Sequence, residues 1–312
     1  EPGTHELEMT SNGQMFSGTY YFGGANGALE QKAGTTPDGF PVDETGKVQG
    51  LDVLGIENLE PQLESAISGY DGNWSVYVKD LETEEEFVIN DEPMYSASLI
   101  KAFVMAKTFE DMDLVLENEA KQMKTDAANA AVQTKIDNLL TNMITVSDND
   151  AANTLVNYLG SGDDAAGMAR VNKFCQDHGY TSTSMGRLLL ADNSNGDNYT
   201  SVKDCGKFLK TIYQQDKGTS TEDTLAGAEY MYHLLKMQTR QNKIPAQMPD
   251  GVKVANKTGE LDTVENDAGI IYDTAKGIDL VICFMSQDLK DTSAAQSTIA
   301  QDSRAIYGYY NE

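Results

Sequence analysis

The order in which the hydrophobic period changes along this chain limits its fold more than any other feature. Two strand-like runs come early, residues 74–81 and 86–90, joined by an acidic turn. Helical periods follow over 98–112, 135–143, 150–159, 165–178, 201–214 and 224–237. Strand-like runs then return at 252–256, 269–272 and 278–284, and a helical run closes the chain at 294–310. A further helical period covers 57–70. Two strands, a helical insert, three strands and a helix make an α+β plan. The pattern predicts a five-stranded, mostly antiparallel sheet flanked by the terminal helices. An all-α lobe is inserted at about 103–249, and a cleft between sheet and lobe is where a ligand site is expected.

The 312 residues suffice for one large domain or two modest ones. With 49 acidic and 23 basic side chains the formal charge is −26. Such a chain repels nucleic acid and anionic lipid, so both are set aside as partners. No apolar run reaches the roughly 18 residues of a membrane span. Three cysteines are too few for a disulfide scaffold. Cys283 reads as a buried thiol, and a Cys175–Cys205 pair stays open. His5, His178 and His233 are scattered, so neither a metal cluster nor a Ser-His-Asp triad is visible, and no cofactor is expected.

Three short motifs carry chemistry. In Ser98-Leu99-Ile100-Lys101, residues three apart on a helix share a face, so hydroxyl and amine meet. A serine needs a base to become a nucleophile. A lysine becomes one when burial and nearby positive charge lower its pKa. Ser98 also stands at a helix start, where unpaired N–H groups favour a developing oxyanion. About one Ser-x-x-Lys is expected by chance in a chain of this length.

Ser147-Asp148-Asn149 precedes a helix, and all three residue types are good N-caps. The alternative is chemical: a hydroxyl that relays a proton to a leaving amine, and an amide at Asn149 that binds a substrate amide. Lys257-Thr258-Gly259 is read at the end of a strand. There an edge accepts an extended substrate, Gly permits close approach, and Lys257 and Thr258 bind a carboxylate. The N–H of Glu260 would complete an oxyanion hole with that of Ser98. Each tripeptide arises by chance in roughly a few per cent of such chains.

Together and in this order, the motifs resemble those of class A β-lactamases and their penicillin-recognising serine-hydrolase relatives. Longer stretches agree, from Val146 to Asn153, from Met248 to Gly259 and from Asn266 to Tyr272. The resemblance covers about 57–312. It implies the β-lactamase/transpeptidase fold and catalytic roles for four residues. Ser98 is acylated, Lys101 and Ser147 move protons, and Lys257 joins Thr258 in holding a carboxylate. Asn149, Thr258, Gly259 and Glu260 are the substrate-binding set, with no metal. One departure stands out. The family's Ω-loop pattern Arg-x-Glu-x-x-Leu-Asn is met by Arg187-Leu188-Leu189-Leu190-Ala191-Asp192-Asn193, with Leu189 in place of the Glu that activates the deacylating water.

The expected ligand is therefore a β-lactam that acylates Ser98 and is hydrolysed slowly, because Leu189 stands where the Glu should be. The alternatives are a peptidoglycan peptide, cut by a D-alanyl-D-alanine carboxypeptidase or transpeptidase, and a non-catalytic β-lactam sensor. Residues 1–50 differ in composition from the rest. They resemble a degenerate unit of the aromatic- and Gly-rich repeats that hold bacterial surface proteins on the cell wall, or else form an acidic linker. The catalytic domain is read as 51–312, monomeric and exported to the cell surface or beyond, its signal peptide not part of this chain.

Overall fold

The computed structural model describes residues 3–11, 14–23, 28–29, 32–35, 41–47, 59–194, 196–219, 221, 223–274 and 276–311. The chain separates into two units, 1–62 and 63–312. In the first, β1 (Gly3–Ser11) and β2 (Gln14–Phe22) form an antiparallel hairpin, followed by the short pair β3 (Gly34–Thr35) and β4 (Pro41–Val42). Asp43 builds the turn after β4 by accepting the Thr45 and Lys47 N–H groups. The aromatic Phe40 and the domain start at 51 lie outside the described residues.

Next come α1 (Glu60–Ile67), β5 (Asn73–Asp80), β6 (Glu86–Ile89) and β7 (Met94–Tyr95). The helical lobe holds α2 (Ile100–Glu110), α3 (Met112–Met123), α4 (Ala130–Thr145), α5 (Asn149–Leu159) and α6 (Asp164–Asp177). Beyond β8 (Tyr199–Thr200) lie α7 (Val202–Lys217) and α8 (Ala228–Lys236). The chain ends in β9 (Lys253–Leu261), β10 (Val264–Tyr272), β11 (Leu280–Gln287) and α9 (Thr292–Asn311).

The sheet is five-stranded and antiparallel, in the order β6-β5-β11-β10-β9, as the α+β plan predicts. Seven of the eight β11 positions are buried, because α7 and α9 both pack on the sheet. A strand covered on both faces reads as a continuous apolar run, and Leu280–Met285 is one. The all-apolar start of α2, Ile100 to Ala106 apart from Lys101, runs through the lobe's core. All three cysteines are free and buried, so Cys175 and Cys205 do not pair. Burial pushes both thiols up to about 12.

Several boundaries differ from the sequence reading. Lys257-Thr258-Gly259 is not at a strand end: β9 continues through it to Leu261 and turns tightly into β10. Ser98 does not open the α-helix. It sits in a 3-10 turn, Ala97–Leu99, that runs straight into α2. The helix α3 falls in the mostly helical stretch without a distinct period of its own, and α4 begins five residues earlier than its period suggested.

Candidate active site

Two elements of the lobe and one of the sheet bring the motifs together. Ala97, with φ +46°, holds the left-handed conformation just before Ser98, and Ser147, with φ +64°, does so between α4 and α5. Such conformations cost energy in a residue with a Cβ and persist where the surroundings impose them. Lys101, one helical turn after Ser98, is completely buried. Its amine lies 3.0 Å from Ser98 Oγ, 3.1 Å from Ser147 Oγ, 2.6 Å from the Ser147 carbonyl and 2.7 Å from Asn149 Oδ1. Lys257, buried on β9, places its amine 3.0 Å from the same Ser147 Oγ.

A continuous chain therefore runs Ser98 Oγ, Lys101 Nζ, Ser147 Oγ, Lys257 Nζ. The two readings of Ser147-Asp148-Asn149 divide among its residues. Asp148 is the N-cap of α5, accepting the Ala151 N–H at 2.7 Å, while Ser147 and Asn149 face Lys101.

Burial pushes the Lys101 amine down to about 8, against the opposing pull of Asp148. Burial also drives Lys257 well below its ordinary value, and the neighbouring Lys101 charge adds to the effect. An amine that must accept the serine proton works only when neutral. Acylation of Ser98 should therefore rise with pH through about 8 and level off above it. Burst rates with a chromogenic β-lactam between pH 6 and 10 would check this, and a flat profile would remove Lys101 as the base.

β9 is an outer strand, so its free edge faces away from β10. Gly259 presses on the turn that carries Ser98. A Cβ there would stand 2.8 Å from the Ser96 carbonyl and 3.2 Å from Ala97 Cβ. From behind, Asn266 of β10 donates to the Tyr95 carbonyl at 2.9 Å. Gly259→Ala should displace the turn that carries Ser98 and slow acylation about 10²-fold, the scale of a 1 Å misplacement. Stopped-flow acylation rates check it, and an unchanged rate would mean the turn yields freely.

Sequence reasoning missed several charged residues here. Arg240, half-exposed, pairs with the Glu260 carboxylate, and the fully buried Lys243 lies 3.1 Å from Glu260 and 2.6 Å from Glu265. Burial opposes ionisation of Glu260, but Lys243 and Arg240 outweigh it and hold the carboxyl low. The Arg240 segment is tied to the end of α4, with Thr239 N–H donating to the Thr145 carbonyl at 3.0 Å. No local signature marks these pairs.

The loop bearing Leu189 is braced at its base. Arg187 Nε donates to Asp197 at 2.8 Å, and Thr183 and Thr200 hydroxyls meet at 2.8 Å. Asn153 accepts the Leu189 N–H at 2.9 Å and donates to its carbonyl at 3.1 Å. Asn149 and Asn153 are four apart on α5 and share a face, so Leu189 is held one turn from the group that touches Lys101. Its side chain is buried. Asp192, the nearest acid in the motif, is exposed and accepts the Ser194 N–H. Among the described residues, no group of His, Cys, Asp or Glu could hold a metal ion.

A sheet with an inserted helical lobe, and a Ser-Lys-Ser-Lys hydrogen-bonded chain whose two amines are buried, is the arrangement of a serine hydrolase. A model of the beta-lactamase enzyme family matches residues 58–310, and the chain belongs to that family. Among solved structures it is similar to PBP-A, at 22% identity over 82% of this chain and 96% of that one, with a TM-score of 0.63. It is likewise similar to a Leu-to-Glu variant of PBP-A solved as an acyl-enzyme complex with penicillin-G, at 22% identity, 82% and 97% coverage and a TM-score of 0.64. An ancestral class A β-lactamase matches at 22% identity over 80% of this chain and 99% of its own, with a TM-score of 0.63. No protein with a curated description matches.

Proposed function

We propose that the protein reacts with β-lactams to form an acyl-enzyme at Ser98 and hydrolyses that ester slowly. The observation that carries this reading is the hydrogen-bonded chain from Ser98 Oγ to Lys257 Nζ. Neutral Lys101 takes the Ser98 proton as Oγ attacks the lactam carbonyl. The N–H groups of Ser98 and Glu260 receive the oxyanion. When the C–N bond breaks, Ser147 protonates the leaving nitrogen and is reprotonated from the lysines on either side. Lys257, Thr258 and the half-exposed Arg240 offer charge and hydrogen bonds to the substrate carboxylate, and Asn149 to its amide. That PBP-A, a protein of this fold, was solved in an acylated form supports the first half of the cycle.

A second reading, a D-alanyl-D-alanine carboxypeptidase or transpeptidase, is favoured by the apolar side chain of Leu189. Either activity belongs outside the cytoplasm, with residues 1–50 supplying contact to the wall. Intact mass over time after mixing with penicillin-G, alongside release of D-alanine from a D-alanyl-D-alanine peptide, separates the readings. An adduct that forms and clears, with no D-alanine released, supports the lactamase. A lasting adduct with D-alanine release supports the peptidase. No adduct at Ser98 under any condition defeats both.

A further inference from the structure

A cavity of about 410 Å³ lies along α7, against β5 and β6, at the opposite edge of the sheet from β9. Lys203, Lys207 and Lys210 line it from successive turns of one helix face. Three lysines around one cavity are unexpected in a chain with a charge of −26. Their commitments differ. Lys210 pairs with Glu84 at 2.8 Å, and Lys207 donates to the His178 carbonyl at 2.6 Å, which neutralises no charge. Lys203 has no hydrogen bond or ion pair among the described residues.

The acidic lining divides in the same way. Glu86 accepts the Tyr77 hydroxyl at 2.6 Å and lies 3.4 Å from Lys79. Asp204 accepts the Ser182 N–H and the Thr183 hydroxyl and feels the Lys207 charge beside it. Asp91 has no such partner among the described residues. Gln214, also in the lining, is 9% exposed, and its amide oxygen has no hydrogen-bond partner among the described residues. The uncommitted Lys203 amine, the Lys207 amine whose direct bond is to a neutral carbonyl, and the open Asp91 carboxylate thus share a cavity of ligand size.

We propose that this cavity binds a small zwitterion, a free amino acid or short peptide with both termini free. The carboxylate faces Lys203 and Lys207, and the ammonium faces Asp91. A polyanion fits less well, because the field of the whole chain opposes its approach, whereas a zwitterion carries no net charge against that field. The proposal is independent of the reaction assigned to Ser98.

The test is calorimetric titration of the full chain with trialanine, its N-acetylated form and its C-amidated form. Saturable binding of trialanine is expected, weakened roughly tenfold by blocking either terminus. Lys203→Gln combined with Lys207→Gln should weaken it by a similar factor, with thermal unfolding and penicillin acylation unchanged, and Asp91→Asn should erase the effect of N-acetylation. No saturable binding of trialanine overturns the proposal. So does binding that survives the double lysine change but is lost in Arg240→Gln, since the peptide would then sit in the catalytic cleft.

Discussion

Lys101→Arg is expected to stop acylation of Ser98 while the protein stays folded. Arginine keeps the positive charge but does not deprotonate at any working pH. Lys101 is the group in contact with Ser98 Oγ, at 3.0 Å, and burial has already brought its amine down to about 8. General base catalysis contributes about 10²–10⁴-fold, so the adduct should form at least 10²-fold more slowly. The added bulk of a guanidinium in a fully buried site is the competing effect. Lys101→Met, which fills the space without charge, controls for it. Intact mass with penicillin-G reads acylation, and near-ultraviolet circular dichroism reads the fold. Acylation of either folded variant at the normal rate would end the assignment of Lys101 as base.

Leu189→Glu is expected to act on the other half of the cycle, speeding loss of the adduct by about 10²–10⁴-fold. A hydrolytic water needs a proton acceptor in reach of the ester, and an isobutyl group offers none. The backbone of Leu189 is held by Asn153 through both N–H and carbonyl, so a new side chain starts from a fixed point one turn from Asn149. A carboxylate there also faces Lys101. Opposite charge favours the ammonium form, so acylation near neutral pH should slow somewhat as deacylation quickens. Pre-steady-state mass spectra at several pH values separate the two rates. An adduct as persistent as in the parent would show that Leu189 does not occupy the position of the base. Rapid clearance by the unmodified protein that disappears in Asp192→Asn would instead assign the role to Asp192, against its exposed position.

What was legible in the sequence was local. Ser98 and Lys101 are one turn apart, and Ser147-Asp148-Asn149 sits at a helix start that its own residues cap. The sheet could be read because β5 and β11 are buried along nearly their whole length. The course of β9 beyond Gly259 was obscured by Glu260, Asp262 and Glu265, whose charges break the apolar pattern of a hairpin. Glu260 and Glu265 are neutralised by Arg240 and Lys243, partners about twenty residues away. The helix α3 has no side-chain cap, and Asp111 both ends α2 and begins α3, so no stop or start signal separates them. In the first unit the dipeptide Asn12-Gly13 between β1 and β2 is a hairpin signal. Its own conformation lies outside the described residues.

The braces at the foot of the Leu189 loop have a consequence for how such a protein can change. Arg187 with Asp197, Thr183 with Thr200, and the Ser184–Tyr199 bridge close the loop at its base. Between these posts Leu190 is 79% exposed and Asp192 caps only its neighbours. The stretch thus behaves as a cassette, replaceable as a block while the frame that aims it stays in place. A lineage could trade one turnover chemistry for another there in a single exchange, without first rebuilding the machinery that makes the acyl-enzyme.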